Sequence, residues 1–231
     1  MRIITWNCAG KFREKYSYII EYKPDIFIIQ ECEYSVCDTI SNSYGYKYLW
    51  YGDKIDYKGL SLFFNPDYTI HVSKKFSFNY KIIIPLVVET EINFNIMPVW
   101  TLSEPGRSYN IQLEEAIVYY SKYLEENYSL IIGDFNAPFS AGNKYNFIKE
   151  INASLNKIDI YSLYHEFYKF SIGHHKHSTF FSRRKKEHPN MLDYCYGSSF
   201  FIDKIKDLHI GDYDNWIRLS DHMPIIIDME I

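Results

Sequence analysis

Apolar runs bounded by Gly, Pro, Asn or Asp alternate along the chain with segments whose apolar residues recur every three or four positions. RIITW (2–6) is the first run, and FREKYSYIIEY (12–22) then places Phe12, Tyr16, Ile19 and Ile20 on one helical face. Pro24 closes that helix, and KPDIFIIQE (23–31) carries a buried-looking strand, so a parallel strand–helix–strand unit is expected. Residues 46–100 change to a series of strands: YKYLWYG, LSLFFN, YTIHVS, YKIIIPLVVE and NFNIMPVW. Helical periodicity returns from Ile111 to Leu124 through Leu113, Ala116, Ile117 and Tyr120, and YSLIIG (128–133) is strand again. Residues 143–168 read as helix in two pieces. The remainder is strand-rich, in STFFS, MLDYCYGS, KIKDLHIGD and MPIIIDMEI. With no repeat, low-complexity segment or linker, the pattern predicts one α/β domain of mixed sheets over residues 1–231.

Composition narrows the class. The 231 residues are enough to bury a sizeable core, and 47% hydrophobic residues are ordinary for a globular protein. The 23 Tyr and 16 Phe accompany a bias towards Ile, Lys and Asn that fits an AT-rich coding sequence, so the aromatics are not read as functional. A net charge of −4 argues against a protein that coats nucleic acid by bulk attraction, but leaves a nuclease open, because only the field of the groove matters there. No apolar run is long enough to span a bilayer, and the amino terminus has no signal-peptide core. Four scattered cysteines without a CxxC predict reduced thiols and a cytoplasmic protein. Nothing in the sequence specifies an oligomeric state.

Polar residues at the ends of the apolar runs carry the candidate chemistry. LIIGDFNAP (130–138) ends in Asp134 and Asn136, which an extended segment would project to the same side. Asn7 follows the first strand, Glu31 ends the second, Asp193 interrupts MLDYC, and Asp221 and His222 precede the last strand. Each has an innocent reading as a turn former, cap or solvated end; together they are an oxygen-rich set at strand ends, expected at an exposed sheet edge rather than buried. Such a set suits a hard divalent cation, with a carboxylate to activate water and a charged imidazole to hold a phosphate.

TWNCAG, IIQE, IIGDFN, LDYC and SDHMP, in this order from Trp6 to Pro224, resemble the endonuclease/exonuclease/phosphatase superfamily with the deoxyribonuclease-I-like fold. The resemblance implies a four-layered α/β sandwich, two packed mixed β-sheets flanked by helices, with the site at one edge. It implies metal-dependent phosphoester hydrolysis by direct attack of an activated water, with Mg2+ as cofactor and Mn2+ as its substitute. A nuclease acting on DNA or RNA is the first reading, and a phosphatase or phosphodiesterase of a small or lipid-derived phosphate the second. On this resemblance Glu31 is the principal metal ligand, with Asn7 and Asp221 positioning the metal or its waters. Asp134 becomes the water-activating carboxylate and Asn136 a donor to the scissile phosphate, while His222 contacts a phosphate oxygen and Asp193 orients and charges its imidazole.

The chain departs from the family pattern after the central strand. MPVWTLSEPGRSYN has no histidine there, leaving Trp100, Thr101, Ser103 and Tyr109 as substitutes, and Arg107 as a substrate contact or a solvated loop residue. Glu33 stands where the AP-endonuclease branch carries a lysine, which weakens a reading of abasic-site repair. The basic run Arg183–Arg184–Lys185–Lys186 is either a solvated hairpin tip or a guide for a polyanionic substrate. GHHKH (173–177) reads as a solvated loop, its soft donors unsuited to an oxygen site.

Overall fold

Both faces of the central strands must be covered, because these strands are apolar without alternation. Residues 1–52, 58–138 and 146–231 are described in a computed structural model of the protein. The first part of the chain runs β1 (Arg2–Asn7), α1 (Tyr16–Ile20), β2 (Ile26–Glu33), α2 (Tyr34–Tyr44), β3 (Lys47–Tyr51), β4 (Lys58–Phe64), β5 (Thr69–Val72), β6 (Leu86–Glu89) and β7 (Phe94–Trp100). It continues with α3 (Tyr109–Tyr119), α4 (Ser121–Glu126), β8 (Tyr128–Asp134), α5 (Phe147–Asn156), β9 (Ile160–Ser162) and α6 (Leu163–Tyr168). The last part comprises β10 (Phe180–Phe181), β11 (Pro189–Asn190), β12 (Asp193–Ser198), α7 (Ser199–Ile202), β13 (Ile205–Ile210), α8 (Tyr213–Trp216) and β14 (Ile225–Met229).

Two six-stranded mixed sheets form, in the orders β13-β14-β1-β2-β4-β3 and β5-β6-β7-β8-β12-β9. They pack face to face through β1 and β2 against β8, β4 against β7, and β14 against β12, with helices outside: the four-layered deoxyribonuclease-I-like sandwich. Each sheet holds one parallel pair, β1–β2 and β7–β8, and antiparallel neighbours otherwise. The expected parallel unit at the amino terminus is therefore present. One continuous core joins the layers, with Trp6, Phe27, Phe63, Phe135 and Tyr196 among its fully buried side chains. Among the described residues, 17 of the protein's 43 aromatics are buried in this core, and many of the others pack half-buried against it.

Several elements differ from the sequence expectation. The 12–22 helix is split, because Lys15 leaves helical geometry (φ −131°) and buries its ammonium against the carbonyls of Cys8 and Gly10 at 2.7 and 2.8 Å. Helix α2 has no counterpart in that reading; it buries Val36, Cys37 and Ile40 and stops at left-handed Gly45. In YKIIIPLVVE only Leu86–Glu89 is strand, while Phe78–Tyr80 form a 3-10 turn. The helical stretch at 143–168 resolves into α5 and α6 around β9, and its first residues, 143–145, lie outside the described residues.

Candidate functional site

Asn7, Glu31 and Asp134 stand at the carboxyl ends of the parallel-paired strands β1, β2 and β8, and the two sheets meet at that edge. Asn7 Nδ2 donates to Asp134 Oδ2 at 2.9 Å, bridging one sheet to the other, and makes a longer contact with Glu31 Oε1 at 3.4 Å. Asn7 Oδ1 accepts from the Ala9 amide at 3.0 Å, so the amide's orientation is fixed. A bulge breaks the β2–β4 register between Gln30 and Cys32, and Glu31 there adopts φ +62°, a left-handed conformation rare for a non-glycine residue. Glu31 Oε2 is paired with the ammonium of Lys58 at the start of β4. That lysine went unread in the sequence, because cross-strand register decides which residue faces Glu31. Glu33, in turn, is buried and structural: it accepts from the Phe12 amide at 2.7 Å and from Arg13 at 2.6 Å.

Asp134 and Asn136 do meet, but not by continuing an extended strand. β8 ends at Asp134, and Asn136 takes φ +48°, turning its backbone N–H onto Asp134 Oδ1 at 2.9 Å. Asn136 Nδ2 donates to both Asp134 Oδ2 and the Thr101 carbonyl at 3.1 Å. Both amide hydrogens are thus engaged, so Asn136 braces Asp134 in this arrangement rather than offering a free donor to a phosphate. Gly133 makes the turn feasible: its φ is +143°, and an added Cβ would lie 2.0 Å from the Val99 carbonyl oxygen.

The carboxylates are buried, contrary to the expectation of an exposed edge: Asp134 and Asp193 are each only 1% accessible. β12 pairs antiparallel with β8 so that Asp193 lies directly opposite Asp134, like charge against like. Burial first, then the charge of Asp193, push the Asp134 carboxyl up to about 7. Asp193 Oδ2 contacts His222 Nδ1 at 2.8 Å, while its Oδ1 is buried without a hydrogen-bond partner. Burial works against charging His222, but Asp193, Asp134 and Asp221 together outweigh it and raise the imidazole to about 10, so it is a cation at neutral pH. The Trp6 indole donates to the His222 carbonyl at 2.9 Å, and Ser220 Oγ links the His222 amide to the Asn7 carbonyl.

Asp134, Asp193 and His222 bring one ligand atom each within 4.8 Å of one another. With Glu31 and Asn7 adjoining, the donor set is mostly oxygen, and Asp193 Oδ1 is an unmet acceptor within it. This chemistry fits a hard divalent cation. Asp221 sits beside His222, half-buried, and its carbonyl accepts from the Phe181 amide at 2.8 Å.

The remaining sequence candidates lie around this centre rather than in it. The β10–β11 hairpin is pinned to the Asp221–His222 turn, and Thr179 Oγ1 accepts the amides of Leu192 and Asp193, each at 3.0 Å. Its tip carries exposed Arg183 and Arg184, with φ +55° and +57°; Arg184 Nη1 donates to the carbonyls of Ile217 and Arg218 past the end of α8. Arg107 is tied to Glu115 at 2.6 Å and lies over the Tyr80 ring, and Tyr109 opens α3 at the surface. His165, unread in the sequence, is buried beside the GHHKH loop, with Nδ1 at 2.7 Å from Ser162 Oγ.

Comparison with known proteins adds the following. A profile described as the Endonuclease/Exonuclease/phosphatase family matches residues 4–222. No curated protein sequence matches the chain. Among solved structures, an AP endonuclease, LMAP, from Leishmania major is similar at 14% identity and a TM-score of 0.72, over 100% of this chain and 87% of that one. An AP endonuclease from Archaeoglobus fulgidus is similar at 16% identity and a TM-score of 0.70, over 100% of both chains. A 3' phosphatase, NExo, from Neisseria, bound to a product DNA hairpin, is similar at 15% identity and a TM-score of 0.68, again over 100% of both.

Proposed function

The chain belongs to the Endonuclease/Exonuclease/phosphatase family of phosphoester hydrolases, and from that premise we propose that it is a divalent-metal-dependent nuclease cleaving phosphodiester bonds in DNA or RNA. The observation that carries this reading is the buried Asp134, braced by Asn7 and Asn136 and grouped with Asp193 and His222. Similarity to structures described as AP endonucleases and as a 3' phosphatase with DNA supports a nucleic-acid substrate.

In the proposed reaction Asp134 takes a proton from the attacking water, and donors from Asn7 and Asn136 hold its carboxylate in place. His222, charged and oriented through Nδ1 by Asp193, faces a phosphate oxygen and stabilises the charge that builds there. Glu31 with Asn7, and Asp221 beside His222, would hold Mg2+ or Mn2+, which supplies Lewis-acid stabilisation of the phosphoryl group and leaving oxygen. The exposed tip at Arg183 and Arg184 guides the polyanion. Four buried cysteines, none disulfide-bonded, support a reducing, cytoplasmic setting. No helix among the described residues is long and apolar enough to cross a membrane.

The test is degradation of labelled DNA and RNA by the purified protein with Mg2+, with EDTA, and with D134A. Metal-dependent cleavage lost in D134A is expected. Turnover of inositol phosphates or another soluble phosphoester, with no cleavage of nucleic acid, would favour the small-phosphoester phosphatase. Equal, zero activity of wild type and D134A on every substrate would leave a binding protein on a hydrolase fold.

A further inference from the structure

Residues 73–82, SKKFSFNYKI, interleave lysines with aromatics, and the catalytic arrangement uses none of them. Their place in the fold is informative. Trp100 is paired with Asp134 across β7–β8, and the Trp100 amide donates to the Ile82 carbonyl at 2.9 Å. Ile82, the last residue of the segment, therefore lies about two strand spacings, or about 10 Å, from Asp134 on the same edge of the sandwich, and Phe78 stands four residues before it. At the segment's other side Phe76 packs on Tyr51 at 5.7 Å, reaching the end of β3 in the opposite sheet.

The segment is held firmly beneath and open above. The Ser77 amide donates to the Tyr120 hydroxyl at 3.1 Å, Ser77 Oγ accepts from Asn79 N, and Tyr80 packs against Tyr119 and Tyr120. Phe78 nevertheless leaves 84% of its surface in solvent, and Tyr119 leaves 54%. Phe78 meets only the edge of Phe76 at 5.1 Å, so burying these rings in a partner would remove apolar surface from water that the described residues leave exposed. Between them opens a cleft of about 710 Å³, lined also by Arg107, Glu104 and Glu115, large enough for a nucleotide-sized group.

The charges decide which part of a nucleotide fits. The lining sets Lys81 and Arg107 against Glu104 and Glu115, with Arg107 paired to Glu115, so the cleft has no excess of positive charge to draw in a phosphate. The same carboxylates accept hydrogen bonds from the N–H groups of a base, and the rings offer it a stacking face. Lys74 and Lys75 lie outside the cleft, where a sugar–phosphate backbone would run, although Lys75 also pairs with Glu126. On the nuclease reading above, we propose that this cleft receives an unpaired nucleobase of the substrate strand, stacked against Phe78 and Tyr119, away from the scissile phosphate. A substrate with a single-stranded stretch is then favoured over a fully paired duplex.

Fluorescence anisotropy with a labelled single strand of about 12 nucleotides in EDTA tests this, using wild type, F78A, Y119A and F78W over a salt series. F78A and Y119A should each weaken binding about 5- to 150-fold, the range of one aromatic–base stack, with the slope of log Kd against log salt unchanged. F78W should bind as wild type does. The melting temperature of F78A should stay level, because Phe78 is almost fully exposed. A wild type that binds and cleaves nucleic acid while F78A and Y119A bind the single strand equally well would overturn the cleft assignment and leave the nuclease reading standing. A loss accompanied by a shallower salt slope would overturn it too, by marking the contact as ionic. A wild type that neither binds nor cleaves any nucleic acid would end both, and peptide capture at the exposed rings would then be their explanation.

Discussion

Asp134 depends on its neighbour Gly133 as much as on its own chemistry. Gly133 sits at φ +143°, and a Cβ there would fall 2.0 Å from the Val99 carbonyl oxygen, so no side chain can be added without parting β7 from β8. G133A should destabilise the fold by ~2–4 kcal/mol through strain and overpacking, and reduce cleavage further by displacing Asp134. A urea midpoint equal to that of wild type would show that the strands yield more easily than their packing implies. D134N keeps the shape and most hydrogen bonds but removes the base; it should lower kcat by at least ~10²-fold, the scale of general-base catalysis, with a melting temperature at neutral pH no lower than that of wild type. Full activity in D134N would reassign water activation to another group. The identities of Asp134, Asn136 and His222 are legible in the sequence because each ends or begins an apolar run. The left-handed turns at Glu31 and Asn136 are not, because nothing in their side chains announces a positive φ as a glycine would.

Elements that contribute no proposed chemistry hold those that do. The β10–β11 hairpin anchors Asp193 through one hydroxyl, Thr179 Oγ1, which is buried and accepts two backbone amides. T179V leaves both amides without a partner and should cost ~2–4 kcal/mol, with activity falling alongside as Asp193 loses its support. T179S should restore most of both, and equal stability of T179V and T179S would break the link between hairpin and site. At the tip of the same hairpin, R183A with K185A should reduce the salt slope of oligonucleotide binding by up to about two, at about one per lost phosphate contact. An unchanged slope would make the tip a solvated turn. Sequence periodicity finds the strands of both sheets because their apolar runs are bounded by turn residues. It fails at α2, whose buried set of Val36, Cys37 and Ile40 is too sparse to stand out, and at the 12–22 helix, where Lys15 answers to two loop carbonyls rather than to the helical repeat. Lys58 could not be assigned to Glu31 before the register of β2 on β4 was known.

At the scale of the molecule, the site is the seam of the sandwich, drawing residues from position 7 to position 222, so its charge state is also a term in folding. Asp134 keeps its proton up to about 7 in the folded protein, against an ordinary value of 3.8. Between those limits the folded state binds more protons than the unfolded one, and stability falls as pH rises. His222 is shifted upward as well, from 6.5 to about 10. Its contribution is fully present below 6.5 and is lost as pH rises through 10, so both groups act in the same direction. The urea midpoint of wild type in EDTA should therefore drop from pH 5 to pH 7 more than that of D134N, and from pH 7 to pH 9 more than that of H222Q. At the proposed metal site a divalent cation held by Glu31 would bind the folded state alone and favour the ionised form of neighbouring Asp134, so Mg2+ should raise the midpoint, and more at pH 8 than at pH 5. This pattern separates the seam from a scatter of surface charges, whose titration would leave D134N and wild type parallel. Parallel curves from pH 5 to 7 would mean that Asp134 and Asp193 do not face each other in a buried arrangement, and a Mg2+ effect independent of pH would mean that the cation does not sit beside Asp134.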